Sequence, residues 1–238
     1  MPGQGAIHAA WGRGERPGRG PRPGLSVTAI AQAGAKVARE EGLAAVSMAR
    51  VAKEVGASTM ALYRYVASKD ELLALMVDAA LGPPVPVAPK EGWRAGLSRW
   101  AWSQHERLAA DRWAVAVPIS GPPLTPNAVA WLEDGLWALR ETCLPEEDKA
   151  SVVLLLSGYV RGEAALVADL GAAEFDGDEM MLAYSGMLRA LIVGDRFPAL
   201  NALLDAGVFD KADHPDREFA FGLERLLDGI QALVDRQR

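Results

Sequence analysis

The sequence predicts an all-α fold, with an N-terminal three-helix helix-turn-helix domain followed by a larger helical C-terminal domain. From Leu25 onwards apolar residues recur at the spacing of helices, and no segment shows the alternation of a strand. Ser, Thr and Asp stand where helices should begin, and Gly or Pro stands where they should end. The 238 residues, half of them apolar, are enough for one or two compact units.

Composition excludes several classes of site. The chain has one cysteine, Cys143, and three scattered histidines, so we expect no disulfide framework, no metal site and no cofactor. Uninterrupted apolar runs stay short of the ~18 residues of a membrane span, and the first residues lack the apolar core of a signal peptide. We therefore expect a cytoplasmic protein with no membrane partner.

Charge is distributed unevenly along the chain. Residues 1–82 carry ten Lys and Arg against seven Asp and Glu, a net charge of +3. Residues 83–238 carry fifteen against twenty-four, a net charge of −9. A basic N-terminal part on an acidic body favours binding of a polyanion by one part only.

Residues 1–24 are predicted to form a disordered arm rich in Arg, Gly and Pro. Its arginines recur at every third residue, so a polyproline II conformation would project them all from one side. They are Arg13, Arg16, Arg19 and Arg22. Such an arm suits a DNA minor groove or a row of phosphates, and the alternative is a solvated tail without a partner.

Residues 25–82 carry the pattern of a helix-turn-helix. Ser47 can cap a short helix that ends at Gly56, and Ser58 can cap a second one. A small residue at the crossing, Ala52, permits close approach of the two helices, and Gly56 permits the sharp turn between them.

A capping box, Ser68-Lys-Asp-Glu71, would open a further helix behind this pair. With it, the stretch 27–81 strongly resembles the DNA-binding domain of the tetracycline-repressor (TetR) family. The residues that carry the resemblance are Val51-Ala52, Gly56, Leu62-Tyr63-Arg64-Tyr65-Val66 and Ser68-Lys69-Asp70-Glu71-Leu72-Leu73. The resemblance covers about a quarter of the chain and implies a DNA-binding regulator.

The second helix of a helix-turn-helix enters the major groove with its first turn on the base edges. Its candidates for base contact are Thr59, Met60, Ala61 and Arg64. Residues that resemble the family's backbone-holding positions are Tyr63, Tyr65, Lys69, Ser47 and Thr28, and Ser58 at the helix start completes the DNA-binding set. The alternative for the two tyrosines is that they are merely packed aromatics.

Residues 90–238 are predicted to form a helical ligand-binding and dimerisation domain, after a proline-rich break. Its helices are expected near 92–110, 112–119, 126–143, 146–170, 178–193, 196–206 and 215–236. The segment 151–170 is apolar nearly all round, and the last helix carries a regular apolar stripe. In TetR-family proteins the corresponding helices pair with a second subunit, which implies a homodimer on a palindrome. The alternative is that both helices line the core of the monomer.

Six of the seven tryptophans lie between residues 93 and 137, a density that suits a pocket for a flat or hydrophobic small molecule. Region 97–170 also resembles the ligand-binding domain of the tetracycline-repressor subgroup. The predicted pocket residues are Trp100, Gln104, Trp113, Asn127, Trp131 and Tyr159. Where tetracycline repressor offers a histidine, this chain has Pro118 or a neighbour, so no magnesium-chelated effector is expected. The alternative is ordinary core packing of the tryptophans.

These patterns predict a repressor that is released from a palindromic operator on double-stranded DNA when a small-molecule effector binds. One alternative is an activator or an effector-independent DNA-binding regulator. Another is an enzyme or carrier built on the helical body. The sequence offers no nucleophile–base spacing, phosphate loop or metal ligand set, so enzymatic activity is not expected.

Overall fold

The computed structural model describes residues 5–12, 25–86, 88, 90–170, 177–192, 194, 196–210 and 216–237. Within these ranges the chain is all-α, as predicted, and contains no strand. The α-helices are α1 (Gly5–Ala10), α2 (Val27–Glu41), α3 (Met48–Glu54), α4 (Thr59–Tyr63), α5 (Lys69–Leu81), α6 (Trp93–Ala110), α7 (Pro126–Ala138), α8 (Glu146–Leu170), α9 (Gly177–Leu191), α10 (Pro198–Asp205) and α11 (Arg217–Arg236). Two short 3-10 helices, Leu43–Ala45 and Arg112–Ala116, lie between them.

The chain divides into two compact units. One comprises Met1–Ala168 with Leu223–Arg238, and the other comprises Asp169–Gly222. The first unit contains the helix-turn-helix and most of the body together, because α5 packs against both α6 and α7. In the second unit, α9 is joined to the residues after α10 by an edge-to-face contact of Tyr184 with Phe209, at 5.4 Å between ring centroids.

The N-terminal segment differs from the disordered arm that its composition predicts. Residues 5–10 form α1, and Ala6 is only 2% exposed. The average over residues 1–24 is dominated by Gly, Pro and Arg, and it conceals the short apolar stretch from Ala6 to Trp11. The expectation is therefore wrong for residues 5–12. Arg13, Arg16, Arg19 and Arg22 lie outside the described residues.

The helix-turn-helix is built on a core shared by α2 to α5. Its fully buried side chains include Ile30, Val37, Val51, Leu62 and Leu72. On α2, a Cβ at Gly34 would lie 2.6 Å from the Met76 sulfur. The closeness of α2 and α5 thus depends on that glycine, which keeps the two helices in one rigid group.

Helix α8 is apolar on two sides but buried on one. Its inward face contains Val152, Val153, Leu156, Val160 and Ala164. It is the one helix within the described ranges that is long and apolar enough to cross a membrane by length and composition. Arg161 lies near its middle and donates to the backbone carbonyls of Val115 and Val117 in the same unit.

The apolar stripe of α11 packs partly against other residues of the same chain. Leu223, Leu227, Ile230 and Val234 are all buried. Leu226 and Leu233 of the same stripe are half-buried, and the pairing of this helix with a second subunit stays a prediction. The outward face of α8 remains uncovered.

Candidate nucleic-acid interface

The two helices of the helix-turn-helix begin at serine caps. The Ser47 hydroxyl accepts the backbone N–H of Arg50 at 3.1 Å, and the Ser58 hydroxyl accepts that of Ala61 at 3.1 Å. Between them Gly56 has a φ of +67°, a conformation that L side chains rarely adopt. These local features place the N-terminus of α4 in solvent, as the sequence predicts.

The side chains that α4 and its flanks expose are those predicted to contact DNA. Met60 is 75% exposed, and Tyr63, Arg64, Tyr65 and Lys69 are also exposed. Thr59 and Ala61 are half-buried, and Thr28 is exposed in the first turn of α2. Within the described residues, no polar side chain on this surface has a hydrogen bond or ion pair except the two serine caps. Tyr63 is 47% and Tyr65 is 37% exposed, so both rings can be reached from solvent, and their contact with DNA stays a prediction.

Ion pairs neutralise several other basic residues of this unit. Lys36 contacts Glu54 at 2.7 Å, and Arg50 contacts Glu41 at 2.5 Å and Glu54 at 2.9 Å. Hydrogen bonds from Lys36 and Arg50 lower the pKa of the Glu54 carboxyl. Among residues 25–82, positive charge without an acidic partner within the described residues remains at Lys53, Arg64 and Lys69.

Lys53 was not singled out by sequence reasoning. It lies in the last turn of α3, and its side chain is exposed. The available signal was the presence of a lysine directly before the turn, but sequence alone does not show which basic residues are neutralised by acids.

The capping box at the start of α5 differs from the usual capping box in the partners of its glutamate, Glu71. Ser68 accepts the Glu71 N–H at 3.1 Å, as expected. The Glu71 carboxylate accepts the N–H of Ala67 at 2.7 Å and that of Ala6 in α1 at 3.2 Å. The carboxylate therefore connects the corner between α4 and α5 to the N-terminal helix.

The C-terminal end of α5 is held by side chains of the body. Trp131 Nε1 donates to the Gly82 carbonyl at 2.8 Å. Arg107 donates to the carbonyls of Leu81 and Pro83, the latter at 3.0 Å. Gly82 has a φ of +58°, and a Cβ there would lie 2.7 Å from Arg107 Nη1, so a glycine is needed at this point. We refer to this set of contacts, with those of Asp78 below, as the α5 joint.

Asp78 links α5 to the start of α7. Its buried carboxylate accepts the N–H of Ala128 at 2.9 Å and the side-chain amide of Asn127 at 3.1 Å. Thr125, the N-cap residue of α7, makes no side-chain cap hydrogen bond. Asp78 thus caps α7 from another helix, where a negative charge is favoured by the helix dipole.

The 3-10 helix Arg112–Ala116 lies between two further links. Arg39 of α2 makes a bidentate contact with Asp111, with both distances 2.9 Å, and Asp111 also accepts the Trp113 indole N–H at 2.8 Å. From α8, Arg161 donates to the carbonyls of Val115, at 2.8 Å, and Val117. Burial lowers the pKa of Arg161, and neither Glu163 nor another acid of the described residues pairs with it.

Most of the residues predicted to bind a ligand have polar partners inside the chain. Trp100 donates to the Trp131 carbonyl at 2.8 Å, while Trp113, Asn127 and Trp131 make the contacts described above. Tyr159 is half-buried. Gln104 differs, because its side-chain nitrogen is buried and has no hydrogen-bond partner within the described residues.

Two cavities open elsewhere on the first unit. A groove of about 480 Å³ is lined by Gly92, Trp93, Arg94, Ala95, Ser98, Glu224 and Leu227. A smaller one of about 200 Å³ is lined by Glu91, Gly92, Trp93, Ala138, Arg140, Glu141, Thr142, Cys143 and Val234. Neither contains any of the six predicted pocket residues, which the structure places in or beside the packed core.

Comparison with known families identifies the arrangement. Residues 30–76 match the sequence model "Bacterial regulatory proteins, tetR family", and residues 85–234 match "Tetracyclin repressor-like, C-terminal domain". The second match alone covers more than half of the chain. The chain belongs to the TetR family. The family resemblance predicted from the helix-turn-helix is thereby confirmed, and so is the assignment as a DNA-binding transcriptional regulator.

Relatives of this TetR-family chain include characterised regulators. It is 36% identical over 241 residues to the HTH-type transcriptional repressor DrrR1 of Streptomyces coeruleorubidus, covering 98% of this chain and 87% of the relative. The structure of apo ActR from Streptomyces coelicolor superimposes with a TM-score of 0.73 and 28% identity, over 88% of this chain and 96% of ActR. ActR in complex with actinorhodin gives a TM-score of 0.74 and 28% identity, over 88% and 98%.

Proposed function

We propose that this TetR-family protein is a repressor that binds a palindromic operator as a homodimer in the cytoplasm and leaves it when a small-molecule effector binds. The observation that carries the proposal is the exposed surface of α4, whose side chains have no partner within the described residues. Its similarity to a named repressor, and to a regulator whose structure contains a small molecule, supports the repressor and effector parts.

On the DNA side, Thr59, Met60, Ala61 and Arg64 contact base edges, since they lie on or just after the helix that enters the major groove. Tyr63, Tyr65 and Lys69 contact phosphates and set register and strength, and so do Thr28, Ser47 and Ser58 at helix starts. The two serines act through their helix N-termini, because their hydroxyls already accept backbone N–H groups.

The homodimer forms through the outward face of α8. Leu154 on this face is 74% exposed, and Leu155 and Leu166 are also exposed. Between these leucines, a Cβ at Gly158 or Gly162 would meet nothing within 4 Å, so a partner helix can approach closely there. An apolar face of this size on a long helix favours burial against a second copy.

The effector binds within the helical body, where Gln104 has an unused buried donor. A buried donor without a partner has lost its hydrogen bond to water, and an acceptor atom on a ligand would replace that bond. The faces of Trp100, Trp113 and Trp131 together with Asn127 and Tyr159 shape this region, although the tryptophan and asparagine donors are already used. Arg161 on α8 carries a charge without an acidic partner within the described residues, which favours an effector with an acidic group.

Effector binding reaches DNA through the α5 joint and the Arg39–Asp111 pair. Both connect the DNA-binding helices to body segments that hold Trp113, Asn127 and Trp131. A ligand that alters these segments changes the position of α4, and a coupling of ~1–3 kcal/mol would suffice for 5- to 150-fold release.

Selection of bound duplexes from a random library, at about physiological salt, tests the DNA-binding part. We expect an enriched palindrome with half-sites roughly one helical turn apart. Failure to enrich any sequence would refute specific operator binding. A Leu154→Glu variant should sediment as a monomer, whereas Val85→Glu, at another exposed apolar position outside α8, should not.

Addition of actinorhodin, the molecule present in one similar structure, is the first effector probe on the selected duplex. Release of the duplex, reduced by Gln104→Leu and Arg161→Gln, would support the effector site. A protein that binds the palindrome but is released by neither actinorhodin nor a panel of aromatic acids would favour the effector-independent alternative.

A further inference from the structure

Helix α1 makes contacts at both of its ends that a solvated tail would not make. At its start, the buried Ala6 donates its N–H to Glu71 Oε1 at 3.2 Å, while Glu71 Oε2 accepts the N–H of Ala67 at 2.7 Å. Ala67 belongs to the corner between α4 and α5. One carboxylate therefore fastens α1 to the segment that directly follows the DNA-reading helix.

At its other end, α1 reaches the body. Trp11 Nε1 donates to the Leu124 carbonyl at 2.8 Å. Leu124 precedes the buried Thr125 at which α7 begins, so this contact lies beside the helix start that Asp78 caps. Between its two ends α1 packs on α2 and α5.

The lengths agree with a parallel course along α5. From Glu71 to Asp78 the axis of α5 advances about 10 Å at 1.5 Å per residue. The six residues from Ala6 to Trp11, extended by an indole side chain, cover a similar distance. A short helix can therefore reach from the α4–α5 corner to the start of α7.

We propose that α1 is a strap that fastens the DNA-reading corner to the segment that leads into α7, so that a displacement at one end is transmitted to the other. It acts alongside the α5 joint. The joint holds the C-terminal end of α5, whereas α1 contacts Glu71 at the N-terminal end of α5. The contacts of α1 are observed independently of the proposed function, but their role in regulating DNA binding rests on that function. Loosening the strap uncouples the α4–α5 corner from α7.

Hydrogen exchange of the full chain, followed by mass spectrometry, tests the strap without DNA or effector. Trp11→Phe removes the indole N–H together with part of the ring system, and Ala6→Glu places a second carboxylate beside Glu71 and should displace the whole helix. The matched control is Trp137→Phe, because Trp137 is 48% exposed and Trp11 is 45% exposed. Circular dichroism and thermal unfolding show whether each variant is folded.

In the wild type, residues 5–12 should be protected. Trp11→Phe should speed exchange in residues 5–12 and 126–130 by roughly 2- to 10-fold, the effect of one net hydrogen bond. Ala6→Glu should also speed exchange at residues 67–71, and Trp137→Phe should change none of these segments. Unprotected residues 5–12 in the wild type, or variant effects confined to 5–12, would overturn the strap.

The same measurement with the selected duplex separates this proposal from the proposed function. In the wild type, the duplex should slow exchange at residues 59–65 and also at 126–130. In Ala6→Glu, the first effect should persist and the second should be lost. Equal slowing at 126–130 in both proteins would overturn transmission through α1. A duplex that slows nothing in the wild type would contradict the proposed function, and the strap is then judged on exchange without DNA.

Discussion

The surface of α4 and the α5 joint use similar side chains in opposite ways. On α4 and its flanks, Arg64, Lys69 and the tyrosines have no hydrogen-bond or ion-pair partner within the described residues. At the joint, Arg107, Trp131 and Asp78 each satisfy backbone groups of another helix. Polar groups that are satisfied inside the chain hold its parts together, whereas those left in solvent are available for an external partner. Variants of the joint should therefore change stability, and variants of the surface should change DNA binding.

The largest effect is expected at the joint. Asp78→Ala removes the cap of α7 and leaves the N–H of Ala128 without its acceptor, while the amide of Asn127 keeps only the Asp78 backbone carbonyl at 3.0 Å. We expect the free energy of unfolding to fall by about 2 kcal/mol, measured by denaturant titration. Asp70→Ala in the exposed first turn of the same helix is the control and should cost less than about 1 kcal/mol. Equal effects of the two substitutions would remove the distinction between the regions.

A smaller effect, and one of a different kind, is expected from Lys69→Ala. Loss of a phosphate contact should weaken binding to all duplexes, several-fold, and lower the slope of log K against log salt by about 1. Its unfolding midpoint should match that of the wild type. Titration of labelled duplexes at several salt concentrations provides the measurement, and an unchanged slope would show that Lys69 does not contact a phosphate.

Thr59→Ala should affect specificity more than overall affinity. A hydroxyl at the first turn of α4 that reads one base edge contributes about 1 kcal/mol of discrimination at that position. The selected palindrome should lose its preference at one base pair per half-site and keep the others. A uniform loss of affinity, like that of Lys69→Ala, would place Thr59 among the phosphate contacts instead.

The smallest effect is expected in the pH dependence of stability. Hydrogen bonds from Lys36 and Arg50 lower the pKa of Glu54 below its ordinary value of 4.5, so the folded state favours the charged carboxylate. The resulting stabilisation is present above the unfolded pKa and is lost as the pH falls through the folded one. Wild type and Glu54→Gln should therefore differ in unfolding midpoint at pH 7, and the difference should decrease as the pH falls below 4.5. Glu40→Gln, at an exposed position without an ion pair within the described residues, should behave like the wild type over the whole range.

Local chemistry explains what the sequence could predict. Ser47, Gly56, Ser58 and Ser68 determine caps and turns through bonds within a few residues, so the helix-turn-helix and the boundaries of α2 and α8 follow from spacing. Exposure of the α4 surface follows as well, because the inward positions of so short a helix are fixed by Leu62.

The parts that sequence could not predict depend on distant residues. Glu71 contacts Ala6 across 65 positions, and Trp131 contacts Gly82 across 49. The residues beside a tryptophan in the sequence do not determine which carbonyl accepts its indole N–H. A cluster of tryptophans is therefore equally consistent with a ligand pocket and with a hydrogen-bonded core. The sequence analysis did not predict α1 for a different reason, because its six residues were averaged with the Gly-, Pro- and Arg-rich residues around them.

We propose that the α4 surface reads DNA and has no structural role. Duplex selection with wild type and with Met60→Glu, together with unfolding of both proteins, separates these two functions. The substitution places a negative charge at the most exposed large side chain of this surface. We expect a palindrome enriched by the wild type, no enrichment by Met60→Glu, and unfolding free energies that agree within about 0.5 kcal/mol. Enrichment of the same palindrome by both proteins, or clear destabilisation of the variant, would contradict this proposal.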